Sequence, residues 1–135
     1  MASFVKFYPF VEALAEKKHD FSTDTLKVAL TNVAPALTNS QLSNITQISY
    51  TYCSDRTLIT TSSSQTSGVY NLVLDDITLT ASGGAVGPFR YIVIFNETST
   101  NDLLIGYSDY GQNITLADGE YITIDFNASG LFSIQ

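Results

Sequence analysis

From Leu26 onward the chain alternates with a period of two: Leu26, Val28 and Leu30 are interleaved with Lys27, Ala29 and Thr31. Successive side chains of an extended segment point to opposite faces, so this pattern predicts a half-buried strand. Strand-like stretches recur at residues 48–52, 57–61, 69–80, 89–97, 103–109, 113–116, 120–127 and 131–134. Breakers separate them: Ser62-Ser63-Ser64, Ser82-Gly83-Gly84, Asn101-Asp102, Tyr110-Gly111-Gln112, Asp118-Gly119 and Ser129-Gly130. Asp118-Gly119 is the strongest hairpin signal, because both residues tolerate the positive φ of a tight turn. Residues 32–47, rich in Asn, Ser and Thr around Ala34-Pro35, read as a loop.

A period of 3.6 occurs once. Phe10, Ala13, Leu14 and Lys17 fall on one helical face, with Pro9 suited to a first turn and Lys17-Lys18 placed to complement the dipole at the far end. The expectation is one short helix over residues 9–18, preceded by a strand or extended arm at residues 4–8. The fold class is therefore all-β, an antiparallel sandwich or barrel-like domain with one short N-terminal helix. Residues 1–20 form the arm and helix and residues 21–135 the β-sandwich domain, together a single globular unit. Nothing alternates strand and helix as a parallel sheet requires.

Composition narrows the function classes. Six Lys and Arg stand against thirteen Asp and Glu, a net charge of -7, which opposes binding to nucleic acid or to anionic lipid. The longest apolar run, Tyr91-Ile92-Val93-Ile94-Phe95, is too short to span a membrane, and residues 1–10 lack the pattern of a signal peptide. Cys53 is the single cysteine, so no intrachain disulfide forms and a reducing compartment is expected.

Candidate chemistry is sparse. His19 is the only histidine, and in Lys17-Lys18-His19-Asp20-Phe21 it reads as a helix-exit residue. Asp75-Asp76 could offer oxygens to calcium, but without a calcium-loop pattern they read as solvated strand carboxylates. The stretch Ser82-Gly83-Gly84-Ala85-Val86-Gly87-Pro88 has no lysine and leads to a strand, so it reads as a turn. Cys53 reads as a small buried hydrophobe. Sequons begin at Asn44, Asn96, Asn113 and Asn127, and without a secretory signal they are expected to stay unmodified. No catalytic, cofactor-binding or metal residue is assigned, and the chain is not expected to be an enzyme. A hydrolase dependent on His19 or calcium is the distant rival. What remains is surface. Phe4, Phe7, Tyr8 and Phe10 crowd the N-terminus, packing on the β-domain or on another chain. Arg90, between Phe89 and Tyr91, can pair with a carboxylate or stack on an aromatic. These five are the candidate protein-interface residues.

The run His19-Asp20-Phe21-Ser22-Thr23-Asp24-Thr25-Leu26-Lys27-Val28-Ala29-Leu30-Thr31-Asn32 resembles the opening of small virion proteins of tailed bacteriophages. So do Ser67-Gly68-Val69-Tyr70, Gly87-Pro88-Phe89-Arg90-Tyr91-Ile92-Val93-Ile94-Phe95-Asn96, the segment from Asn101 to Gly111, and the closing Gly119-Glu120. The resemblance runs from His19 to the C-terminus. It implies a capsid decoration (cement) protein, made in the host cytoplasm and mounted on the capsid surface of the virion. The implied partners are the major capsid protein and further copies of itself, as a homotrimer. The alternative within the same resemblance is a tail or baseplate structural or adhesion protein.

Overall fold

The structure, a computed structural model, describes residues 4–126 and 130–134. In chain order the elements are β1 (Val5–Lys6), α1 (Tyr8–Ala15), β2 (Leu26–Thr31), a single 3₁₀ turn (Leu42–Asn44), β3 (Thr60–Thr66), β4 (Val69–Leu74) and β5 (Ile77–Thr80). Then follow β6 (Val86–Asn96), β7 (Leu103–Leu116), β8 (Tyr121–Ile124) and β9 (Ser133–Ile134). The strands make three antiparallel sheets among the described residues, ordered β1-β7-β6-β2, β3-β4-β9 and β5-β8. Apolar side chains of all three, including Val28, Leu30, Phe89, Leu72, Leu79 and Ile124, merge into one core with Phe7 and Phe10. The domain is all-β and sandwich-like with one short helix, as the alternating pattern predicts.

The arm belongs to that core. β1 is a strand of the four-stranded sheet, with Val5 opposite Tyr107 and Lys6 opposite Gly106. Gly106 makes the approach possible, since a Cβ there would run into the Phe4 ring and the Val5 carbonyl. Phe7 and Phe10 thus share one hydrophobic interior with the strands that follow.

Several boundaries differ from the sequence pattern, each for a local reason. The helix ends at Ala15, three residues early. Lys17 turns left-handed at φ 66°, and the amides of Lys17 and Lys18 fold back to the carbonyls of Leu14 (3.4 Å) and Ala13 (2.9 Å). This is a Schellman closure made with lysine where glycine is usual, so the two lysines form the exit turn and not the last helical turn. Ser62-Ser63-Ser64 lies inside β3, because pairing with β4 outweighs serine's preference for turns. Residues 48–52 form no strand. They lie along the outer edge of β2, where Ile48 N–H reaches the Leu30 carbonyl (3.0 Å) but the Tyr50 hydroxyl takes the Leu30 N–H (2.9 Å) in place of a backbone acceptor.

Asp118-Gly119 turns the chain, with Glu120 N–H bonded to the Ala117 carbonyl at 2.8 Å and Gly119 at φ 88°. It does not join a hairpin, because β8 pairs with β5 and not with β7. The turn is held against Ala81, whose carbonyl accepts from Gly119 N–H (2.8 Å) and whose N–H reaches the Glu120 carbonyl (2.9 Å). Tyr110-Gly111-Gln112 is absorbed into β7, and residues 69–80 split at Asp75-Asp76 into β4 and β5. β2 is not half-buried: Ala29 and Thr31 are as enclosed as Leu26, Val28 and Leu30.

Candidate functional site

The candidate interface residues separate on folding. Phe7 and Phe10 are 0% and 2% exposed, Phe7 tilted against Tyr107 and Phe10 edge-on to Phe132. A residue buried in its own domain cannot meet a partner, so both leave the interface set and become core. Phe4 is half-buried against that core. Tyr8 alone of the four stands out, 64% exposed, with Val5 and Val11 exposed beside it in the chain. Tyr8 and Val11 are three residues apart on α1, which puts them on neighbouring turns of one outer face. The helix start is itself secured from outside, by the Tyr8 N–H on the Leu37 carbonyl at 2.8 Å.

Arg90 is held by both reactions foreseen for it. Its Nε and Nη2 reach Oδ1 and Oδ2 of Asp109 at 2.8 and 3.0 Å, a fork-to-fork pair across the β6–β7 strands, and its guanidinium stands 5.4 Å from the Tyr91 ring. Hydrogen bonding from Arg90 lowers the Asp109 carboxyl below its ordinary range, and Asp109 raises Arg90.

A feature the sequence pattern did not single out lies at the helix exit. An open cavity of about 850 Å³ is lined by Lys18, His19, Asp24, Tyr70 and Asn101 among others. His19 follows the exit turn and is enclosed there. It is 8% exposed, stacked on Phe21 and tilted against Phe10. Its Nδ1 lies 2.9 Å from Nδ2 of the fully buried Asn96, which also donates to Asp24 Oδ2 at 2.6 Å. Asn96 Oδ1 accepts from the N–H groups of Thr98 (3.0 Å) and Ser99 (3.2 Å), which fixes the amide orientation. Nδ1 of His19 is therefore an acceptor and the proton of the neutral ring sits on Nε2, which has no hydrogen-bond partner among the described residues. Burial lowers the His19 pKa, with the Asp24 charge pulling partly the other way.

The order is imidazole, amide, carboxylate. A hydrolytic triad places the carboxylate directly on the ring and a hydroxyl on its other nitrogen. The serines of the cavity wall have other hydrogen bonds: Ser22 Oγ to Asp20, Ser63 Oγ with the Tyr70 hydroxyl, and Ser99 Oγ to the Asn96 carbonyl. The arrangement locks a loop onto the end of β6. One signal for it is legible in the chain: a polar Asn96 ending the apolar run from Ile92 to Phe95 must find partners where it is buried. Its burial also withdraws the Asn96 sequon from any modifying enzyme in this fold, while the Asn127 sequon lies outside the described residues.

The other candidates have structural surroundings. Asp75 accepts from the Thr61 hydroxyl and Asp76 from Phe126 N–H (2.7 Å), at the break between β4 and β5 and not along a strand. Among the described residues no group of three or more His, Cys, Asp or Glu is placed to hold a metal ion. Gly83 N–H donates to Asp118 Oδ1 at 2.9 Å, so the glycine-rich stretch is tied to the neighbouring turn. Cys53 is a free, half-buried thiol whose pKa burial pushes up and Arg56 partly lowers. No protein-family model, curated protein or solved structure matches the chain.

Proposed function

We propose that this protein is a bacteriophage capsid decoration (cement) protein, which binds the assembled shell of major capsid protein and stabilises it. The resemblance of residues 19 to 135 to small phage virion proteins supplies the class. The observation that carries the reading is the anchored arm: Phe7 and Phe10 are sunk in the core, and the same segment presents Val5, Tyr8 and Val11 to solvent. Aromatic and aliphatic side chains held on a rigid base suit a protein interface, because little side-chain freedom is lost on docking. A ligand that binds only the assembled shell shifts the equilibrium toward it by mass action. A net charge of -7 keeps free copies soluble and steers them to basic patches on a shell exterior. The oligomer implied by the resemblance is a trimer.

The test is co-sedimentation with purified shells lacking this protein. Wild type binds and raises the shell's melting temperature, and the double variant Tyr8→Ser, Val11→Ser binds about tenfold or more weakly at unchanged circular dichroism. Binding to isolated tails and not to shells would place the protein in the alternative class of tail or baseplate components.

A further inference from the structure

The strands of this domain end in margins of very different kinds. The outer edge of β2 is roofed by the loop from Ile48 to Leu58, through Val28 N–H to the Arg56 carbonyl (3.0 Å), Ile48 N–H to the Leu30 carbonyl (3.0 Å) and Leu58 N–H to the Leu26 carbonyl (2.9 Å). β1 and β9 are two residues each. β3 differs: of its seven residues, Thr60-Thr61-Ser62-Ser63-Ser64-Gln65-Thr66, all but Thr61 pair with β4 on one side, and among the described residues no strand lies on the other.

Its register says which groups are open. Thr66 and Val69 close the hairpin around Ser67 and Gly68, both at positive φ (52° and 83°), the geometry of a two-residue primed turn. In such a hairpin the closing pair exchanges both hydrogen bonds, and the bonded pairs then alternate. Thr66, Ser64 and Ser62 therefore bond across to β4, whereas the N–H and C=O of Ser63 and Gln65 face away. The other side of the hairpin agrees, because Leu72, opposite Ser63, turns its carbonyl outward to Leu131 N–H at 2.6 Å. No partner for the backbone groups of Ser63 or Gln65 occurs among the described residues.

Natural sheets protect such an edge with lysine, proline, an inward charge or a covering loop. β3 carries a different device, a bulge at Thr61 between Thr60 and Ser62, which leaves Ser62 to Thr66 in regular register. It has no lysine, proline or inward charge, and no charged residue occurs between Arg56 and Asp75. In a chain of net charge -7, two copies repel over most of their surface, and this neutral hairpin is where they can approach.

We propose that β3 is the contact strand for a second copy of this chain, paired antiparallel about a two-fold axis. An antiparallel edge is self-complementary, since each outward residue supplies one donor and one acceptor. With the axis at Ser64, Ser63 pairs with Gln65 of the partner subunit and Gln65 with Ser63 of the partner subunit, four backbone hydrogen bonds in all. Ser64 then faces its own counterpart in a close, non-bonded pair, with exposed hydroxyls at the contact. The pairing is independent of the capsid reading. It is two-fold, and thus distinct from any threefold contact.

Sedimentation equilibrium of the full chain at concentrations on the order of 100 μM tests it. Wild type sediments as a dimer. Ser64→Lys sets like charges opposite each other and raises the dissociation constant about tenfold or more, and Gln65→Pro removes an outward N–H with the same result. Ser64→Lys keeps the wild-type circular dichroism and melting profile at low concentration, because it touches no bond to β4. Gln65→Pro also loses the bond from Gly68 N–H to Gln65 Oε1 (3.0 Å) and melts somewhat earlier with the same fold. Mixing Ser64→Lys with Ser64→Glu restores the dimer. A wild-type monomer at that concentration, or an association untouched by Ser64→Lys, overturns the proposal. Shell binding by Ser64→Lys is scored separately and bears on the capsid reading alone.

Discussion

The imidazole of His19 lies nearly parallel to the ring of Phe21, 14° apart with centroids 5.3 Å apart, while its Nδ1 takes a hydrogen bond from Asn96. The pocket so formed favours the neutral ring. Its folded pKa is lowered, so between the folded value and the unfolded value near 6.5 the unfolded chain binds more protons than the native one. Stability contributed by His19 is complete above about pH 6.5 and declines as the pH falls below it. Asp20, Asp55 and Asp109 are also lowered, chiefly by hydrogen bonds from Ser22, Thr57 and Arg90, and their contribution is lost further down, below about pH 4. Urea midpoints across pH 3 to 8 should show two declines toward acid, and His19→Phe should lack the first. A flat profile between pH 5 and 7 in wild type would count against the buried neutral imidazole.

Asn96 serves four partners from a fully buried position: His19, Asp24, and the N–H groups of Thr98 and Ser99. Asn96→Ala leaves these without their shared partner, at a cost of about 2–4 kcal/mol. Thermal unfolding should show the loss, and hydrogen exchange should speed up at Thr98 and Ser99 first.

Gly106→Ala sets a methyl group against the Phe4 ring and the Val5 carbonyl. Displacing β1 should cost about 1–3 kcal/mol. Limited proteolysis should then cut the variant near Lys6 at a rate at which wild type stays intact.

Phe7 and Tyr8 are adjacent and should behave oppositely. Phe7→Ala empties a fully buried site and should destabilise by about 3–5 kcal/mol. Tyr8→Ala, at an exposed site, should stay within about 0.5 kcal/mol of wild type. Paired denaturation curves check both. By the same logic, deleting residues 1–8 weakens the whole domain, because it removes a core ring and a strand of the main sheet.

The strands that read most clearly in the sequence are those whose apolar positions bear on the core. β2 and β6, with Val28 and Leu30 opposite Ile94 and Ile92, are visible as alternation or as an unbroken apolar run. Of β3 only Thr60 and Thr61 fall in a stretch that reads as strand, because the serines and threonines beyond them carry no periodic contrast and the strand exists through its hairpin partner. The segment around Tyr50 misled in the opposite sense. Its alternation is genuine, but its aromatic ring serves as a platform for Arg56, 3.5 Å away, and its hydroxyl bonds β2. At the helix exit, His19 and Asn96 are separated by 77 positions, and contact between them depends on the path of the sheet. Local spacing cannot report a pair of that kind. Arg90 and Asp109 became a pair for the same reason, the β6–β7 register bringing the strands that carry them together.

Growth of a cross-β fibre by strand addition needs every unit to offer a template at both ends. In the four-stranded sheet, Arg56 donates to the Val28 carbonyl at 2.5 Å while lying on Tyr50, and on the opposite margin β1 and the loop at Ser40 and Gln41 take up the edge of β7 from Leu103 to Tyr107. The apolar stretches of that sheet, Leu26 to Leu30 and Leu103 to Ile105, therefore offer no bare edge to a second molecule, and can be as sticky as the core requires without seeding a fibre.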